Sequence, residues 1–225
     1  MVFGGFGVVG GFVVGVWVLV VVVERRTGET VVRVRLEVGV GEPGGRVVSG
    51  IGFLDHMVET LAFYAGWRLE AEVREIRRVD DHHVAEDLML AVGAALRRWL
   101  DGVGWRVSRF GWAVVPMDEA LVLAAVDVSG RPGAWVRLGL RRESIGGLAT
   151  ENVPHMVWSL ASSALLTVHL RRLAGVNEHH IVEAGFKALG LALRQALRPV
   201  GSVVSTKGVV APEHLGSGGA GAGEG

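Results

Sequence analysis

Between Val32 and Val38 the chain alternates, with Val32, Val34, Leu36 and Val38 separated by arginine and glutamate. A period of two predicts a half-buried strand. Arg68 to Glu75 fits another strand, and Ala120 to Val128 a third, apolar and rich in β-branched residues. Helices are predicted from about His56 and from about Pro154, a proline that suits a helix start. Two longer helices open at His82-His83 and at His179-His180. Asp80-Asp81 precedes the first and Asn177-Glu178 the second, residues that cap a helix and suit its positive end.

These elements recur in order. His56-Met-Val-Glu-Thr-Leu-Ala62 is echoed by His155-Met-Val-Trp-Ser-Leu-Ala161. His82-His83-Val-Ala-Glu86 is echoed by His179-His180-Ile-Val-Glu183. Without gaps, Ala91, Gly93, Ala95, Leu96, Arg97 and Leu100 align with Ala188, Gly190, Ala192, Leu193, Arg194 and Leu197. Two homologous halves are therefore predicted, residues 24–107 and 108–210. Strands and helices in each half imply an α+β fold. The two βα half-domains should be related by a pseudo-twofold axis, with helices packed between two sheets.

Composition narrows the function. The 225 residues carry no net charge, which argues against a general nucleic-acid binder. Cysteine is absent, so any transition metal must be held by histidine and carboxylate. Residues 1–23 carry no charge and are mostly Val and Gly. They are long enough to span a bilayer, but their helix propensity is poor. They are read here as an extension outside the fold, disordered or translated upstream of the true start, with a membrane segment or signal peptide as the other readings. Otherwise the chain reads as cytoplasmic, without a membrane partner. Residues 211–225 form a Gly-rich tail expected to be disordered.

Six of the eight histidines lie in the repeated motifs: His56, His82, His83, His155, His179 and His180. One buried histidine needs no metal to explain it. Six at repeated positions, with Glu86 and Glu183 at fixed spacing, point to metal. Residues four apart share a helix face, so His82 with Glu86, and His179 with Glu183, can each grip one ion. Adjacent residues diverge by about 100° and should serve different ions. Two ions follow, each with three nitrogen and one oxygen ligand. The repeat assigns His82, Glu86, His155 and His180 to one, and His179, Glu183, His56 and His83 to the other, each set drawn from one subunit or from two. Such ligands suit Mn, Fe, Co, Ni or Zn.

A phosphate site is suggested by Arg109 in Ser-Arg-Phe-Gly, Arg131 in Ser-Gly-Arg-Pro-Gly, and Ser205 with Lys207 in Ser-Thr-Lys-Gly. Charge, bidentate donors and close backbone approach are what a phosphate needs.

Together, Gly50-Ile-Gly-Phe-Leu-Asp-His-Met57, Asp80-Asp-His-His83 with Glu86-Asp87, Asn177-x-His-His-x-x-Glu-Ala184 and Ser205-Thr-Lys-Gly208 resemble the imidazoleglycerol-phosphate dehydratase family. Arg26-x-x-Glu29-Thr30 and Pro116-Met-Asp-Glu-Ala120 strengthen the likeness, which runs from about Glu24 to Val210. The resemblance implies dehydration of a small-molecule phosphate in histidine biosynthesis, with two manganese ions per site. It implies a hollow homo-oligomer built from trimers, roughly 24 subunits in all. The metal ligands carry over onto the six histidines, Glu86 and Glu183, and the phosphate contacts onto Arg109, Arg131, Ser205 and Lys207, with Lys187 near the substrate. Glu29 and Glu183 are the candidate catalytic residues, Glu29 as the base, and the expected route passes through a dimetal-stabilised imidazolate. Thr60 stands where the family usually has glutamine, and Pro154-His155-Met156 where it often has Glu-His-Phe. A dinuclear metallohydrolase acting on a phosphoester and a non-catalytic metal-storage shell are the competing readings.

Overall fold

A computed structural model describes residues 8–13, 16–208 and 210. Strands β1 (Val8–Val13), β2 (Val16–Arg26), β3 (Thr30–Val38), β4 (Gly44–Val48) and β5 (Trp67–Glu75) form one sheet in the order β1-β2-β3-β5-β4. Helix α1 (Gly52–Ala65) connects β4 to β5, and α2 (Asp81–Gly102) follows β5. In the second half β6 (Phe110–Met117), β7 (Ala120–Asp127), β8 (Gly133–Arg137) and β11 (Thr167–Ala174) form a sheet in the order β6-β7-β11-β8. A short hairpin, β9 (Ser144–Ile145) with β10 (Leu148–Ala149), precedes α3 (Asn152–Ala164), and α4 (Glu178–Ala196) follows β11.

The two halves share one topology. β2-β3-β5-β4 matches β6-β7-β11-β8 in order and in every strand direction, including the single parallel pair, β4 with β5 and β8 with β11. Alternation along β5 turns Trp67, Leu69, Ala71 and Val73 inward, and β7 does the same with Ala120, Val122, Ala124 and Val126. The four helices fill the space between the sheets. α2 lies on β2 and β3, α4 on β6 and β7, α2 crosses α3, and α1 crosses α4. Exchanging the halves maps one helix crossing onto the other, so both halves close a single apolar core.

Those crossings explain two aligned glycines. A Cβ on Gly93 would stand 2.7 Å from the Leu160 carbonyl oxygen, and one on Gly190 would stand 2.8 Å from that of Leu61. Alanine normally favours a helix interior by about 1 kcal/mol over glycine. Here backbone must move to admit it, and overpacking of this kind costs about 1–3 kcal/mol. Gly93→Ala or Gly190→Ala is thus expected to destabilise the protein on balance. Denaturant midpoints at or above wild type would mean that the helices part freely.

The apolar N-terminal segment departs from the sequence reading. Residues 16–23 do not lie outside the fold; they supply most of β2, with Val21 and Val23 each 1% exposed. The β-branched composition that makes a poor helix makes a good strand. Among the described residues no helix is long and apolar enough to cross a membrane. Residues 1–7 and the Gly-rich tail at 211–225 lie outside the described residues.

Candidate metal centre

Two helix starts build the centre. Asp80 caps α2, its Oδ1 accepting the N–H of His82 at 3.0 Å and of His83 at 3.4 Å. Asn177 caps α4, its Oδ1 accepting the N–H of His179 at 3.0 Å. Each histidine pair thus sits in a first helical turn, and a glutamate one turn later shares the face of the first histidine.

The crossing helices add a third group to each face. His155 of α3 places Nε2 3.2 Å from Glu86 Oε1, with His82 in the same cluster. On α4, His179 Nε2 lies 3.2 Å and His56 Nε2 of α1 3.5 Å from Glu183 Oε2. In each triad the three donor atoms lie within 4.8 Å of one another. Each triad also draws one histidine from the other half of the chain. The donor set fits a divalent ion: ligand atoms about 2.1 Å from a metal and at right angles around it are separated by about 3.0 Å. Asn152, 2% exposed, places Oδ1 2.8 Å from His82 Nδ1 and donates from Nδ2 to Asp81 at 3.0 Å. That contact makes Nδ1 the protonated nitrogen of His82 and leaves Nε2 open to a ligand role.

The second histidine of each pair faces elsewhere. The rings of His82 and His83 lie 89° apart, and those of His179 and His180 90° apart. Neither His83 nor His180 belongs to a triad among the described residues. His83 Nδ1 meets Glu29 Oε2 at 2.9 Å, and His180 Nδ1 meets Glu119 Oε2 at 2.8 Å. The hydrogen bond from His180, with a backbone N–H from Asn177, holds the Glu119 carboxyl down at about 2, and the same contact raises His180. Burial pushes Glu183 up, but Lys187, with Nζ 2.9 Å from Oε1, and His56 together bring it below the usual carboxylate value. Thr60 lines a hollow with His56, Glu183 and Lys187.

The phosphate candidates gather at the opposite end of the chain's own helix layer. The Arg109 guanidinium holds Asp127 at 2.8 and 3.3 Å and donates from Nη1 to the Val204 carbonyl at 3.0 Å. That draws in the segment carrying Ser205 and Lys207. Arg131 is exposed in the turn that follows β7, where its N–H meets Ser129 Oγ at 3.2 Å. The Arg109 N–H bonds to the carbonyl of Ala196, at the end of α4. From His180 to that residue the helix runs about 24 Å. One copy of the chain therefore brings together two metal triads with Lys187 beside one, and separately a basic group, but does not join them.

Sequence reasoning missed Asn152 and the place of Glu119. The latter was readable: Glu29 and Glu119 each stand immediately before the second strand of the repeated pattern, β3 or β7.

A sequence model of imidazoleglycerol-phosphate dehydratase matches residues 49–193. The chain belongs to this family. It is 48% identical over 191 residues to the imidazoleglycerol-phosphate dehydratase of Caldivirga maquilingensis, covering 84% of this chain and 97% of that one. To that of Eremothecium gossypii it is 51% identical over 166 residues, covering 73% and 75%. Crystal structures of the Pyrococcus furiosus and Staphylococcus aureus dehydratases match with TM-scores of 0.72 and 0.71 at 39% and 31% identity. They cover 83% and 80% of this chain, and 99% of each of theirs. The family-model span takes in parts of both halves and every residue of the two triads, and it begins after the apolar start of the chain.

Proposed function

We propose that this protein is a metal-dependent hydro-lyase that converts imidazoleglycerol phosphate to imidazole acetol phosphate in histidine biosynthesis. The observation that carries the reading is the pair of His-Glu-His triads at equivalent helix starts, in a chain of the dehydratase family. Two manganese ions are assigned per site. His82, Glu86 and His155 hold one and His56, His179 and Glu183 the other; His180 and His83 complete them from neighbouring copies. Bound ions would supply Lewis acidity to the imidazole ring of the substrate.

The protein's own groups do the rest. Arg109, Arg131, Ser205 and Lys207 bind the phosphate, and their distance from the triads within one chain is why the reading requires a homo-oligomer; a shell of trimers with roughly 24 subunits is what the family resemblance implies. Lys187 and Glu183 border the substrate's other end. Dehydration removes the hydroxyl from the carbon next to the ring and a proton from its neighbour. Glu29 takes that proton, and the resulting enol tautomerises to the ketone. A biosynthetic role of this kind is assigned to the cytoplasm, as the sequence reading expected.

Incubation of the protein and Mn²⁺ with imidazoleglycerol phosphate is expected to give ketone absorbance. Release of inorganic phosphate instead would indicate a metallohydrolase, and no turnover would leave only metal storage. Arg131→Ala and Lys207→Ala are each expected to raise KM about ten- to a hundredfold with metal content intact, since a charge-assisted contact contributes about 1.5–3 kcal/mol. An unchanged KM in both would remove these residues from the phosphate site.

A further inference from the structure

The duplicated turns of the two halves hold their surroundings in different ways. In the first half the segment before α2 docks on main chain: the N–H groups of Ile76 and Arg77 bond to the Glu29 carbonyl at 2.6 and 3.1 Å. The turn itself is tied to α2 by Asp87, 5% exposed, which accepts from Arg25 at 2.8 Å, Thr30 at 2.5 Å and Thr27 at 3.3 Å. Among the described residues the Glu29 carboxylate has one side-chain contact, to His83. In the second half the residue equivalent to Asp87 is Ala184, which can anchor nothing by hydrogen bonding. There the segment before α4 docks on a side chain instead: Glu119 Oε1 accepts the N–H groups of Val176 at 3.2 Å and Asn177 at 2.7 Å. Glu119 Oε2 faces His180 Nδ1 at 2.8 Å.

We infer that Glu119 is a positioning residue for His180, fixing both the ring and its tautomer, whereas its counterpart Glu29 has been released from scaffolding. The inference rests on His180 being a metal ligand. An ionised carboxylate can only accept, so Nδ1 must carry the proton. The neutral ring then presents the lone pair of Nε2 outward, as a metal ligand requires. Because one oxygen of Glu119 grips the start of α4 and the other grips His180, the ring is held to the helix end that carries it. Asp118, 3.6 Å from His180 Nε2, lies on the ligand side and has no such double hold.

The test is titration of Mn²⁺ into the metal-free, full-length protein, with thermal melting of the same samples. Wild type is expected to bind two ions per chain. E119Q should weaken one class about 10–100-fold, as partners behind a metal ligand typically do, and leave the other class unchanged. E119D keeps the charge but is one methylene too short to reach both the backbone and the ring, and should weaken the same class. In an H180A background, E119Q should cost no further affinity, because the two residues act as one. Three results would overturn the inference: wild-type affinity in both Glu119 variants, an equal loss in both metal classes, or an undiminished E119Q effect without His180. Loss of folding in both E119Q and E119D would make Glu119 a folding residue and overturn it as well. If wild type itself bound no Mn²⁺, the metal-dependent function would fall first.

Discussion

Glu29→Gln is expected to lower kcat by about 10²–10⁴-fold, the usual contribution of a positioned general base. The substitution is conservative where it needs to be. The turn keeps its Thr27, Thr30, Arg25 and Asp87 bonds, none of which uses the Glu29 side chain. The amide oxygen of Gln can still accept from His83 Nδ1, now 2.9 Å from the carboxylate. What the amide lacks is basicity, so proton removal fails while substrate and metal still bind. Steady-state kinetics with metal analysis checks this. A kcat within a few-fold of wild type would exclude Glu29 as the base. A drop in kcat matched by lost manganese would make it a positioning group instead.

Removing the metal is expected to break the assembly into smaller units, and Mn²⁺ near neutral pH to rebuild it. The reason is geometric: each triad offers three donors from one chain, and the fourth ligand of each proposed set, His180 or His83, is turned about 90° from the triad histidine beside it. If a neighbour supplies it, ligand bonds cross the interface and metal affinity becomes assembly free energy. Acid should act in the same direction. Ligating imidazoles must be neutral, so protonation releases the ions as the pH falls, and they return as it rises. Light scattering on chelated protein reports the size directly. A metal-free protein that stays fully assembled would refute the bridging role. Reassembling a mixture of His155→Ala and Lys207→Ala chains extends the test, because each lesion spoils a different part of a shared site. Recovery of activity on mixing is expected; its absence would place the whole site in one chain.

Much of this centre was legible along the chain because its rules are local. A capping residue followed by a histidine pair, with a glutamate one turn on, specifies a helix start and a clamp within a few residues, and both Asp80 and Asn177 cap as their positions imply. The gapless repeat carried the same logic to both halves and aligned Gly93 with Gly190. Where local rules were ambiguous the reading failed. Residues 16–23 are apolar without a helical or alternating period, and only the sheet they complete identifies them as a strand. The repeat did hold a clue: β6 precedes β7, so a strand should precede β3 as well.

The amino-acid sequence by itself determined the duplication, the α+β elements and the type of ligand at each helix start, because hydrogen-bonded turns and side-chain periodicity are set by near neighbours. Only the tertiary structure decided which distant groups meet. The crossings of α2 with α3 and α1 with α4 bring His155 to Glu86 and His56 to Glu183. The same packing sets Asn152 behind His82 and Glu119 behind His180. It also holds Arg109 at the far end of α4 from the triads. Those contacts join residues some 60–70 positions or more apart. They follow from how two sheets bury one helix layer, and no local pattern encodes that arrangement.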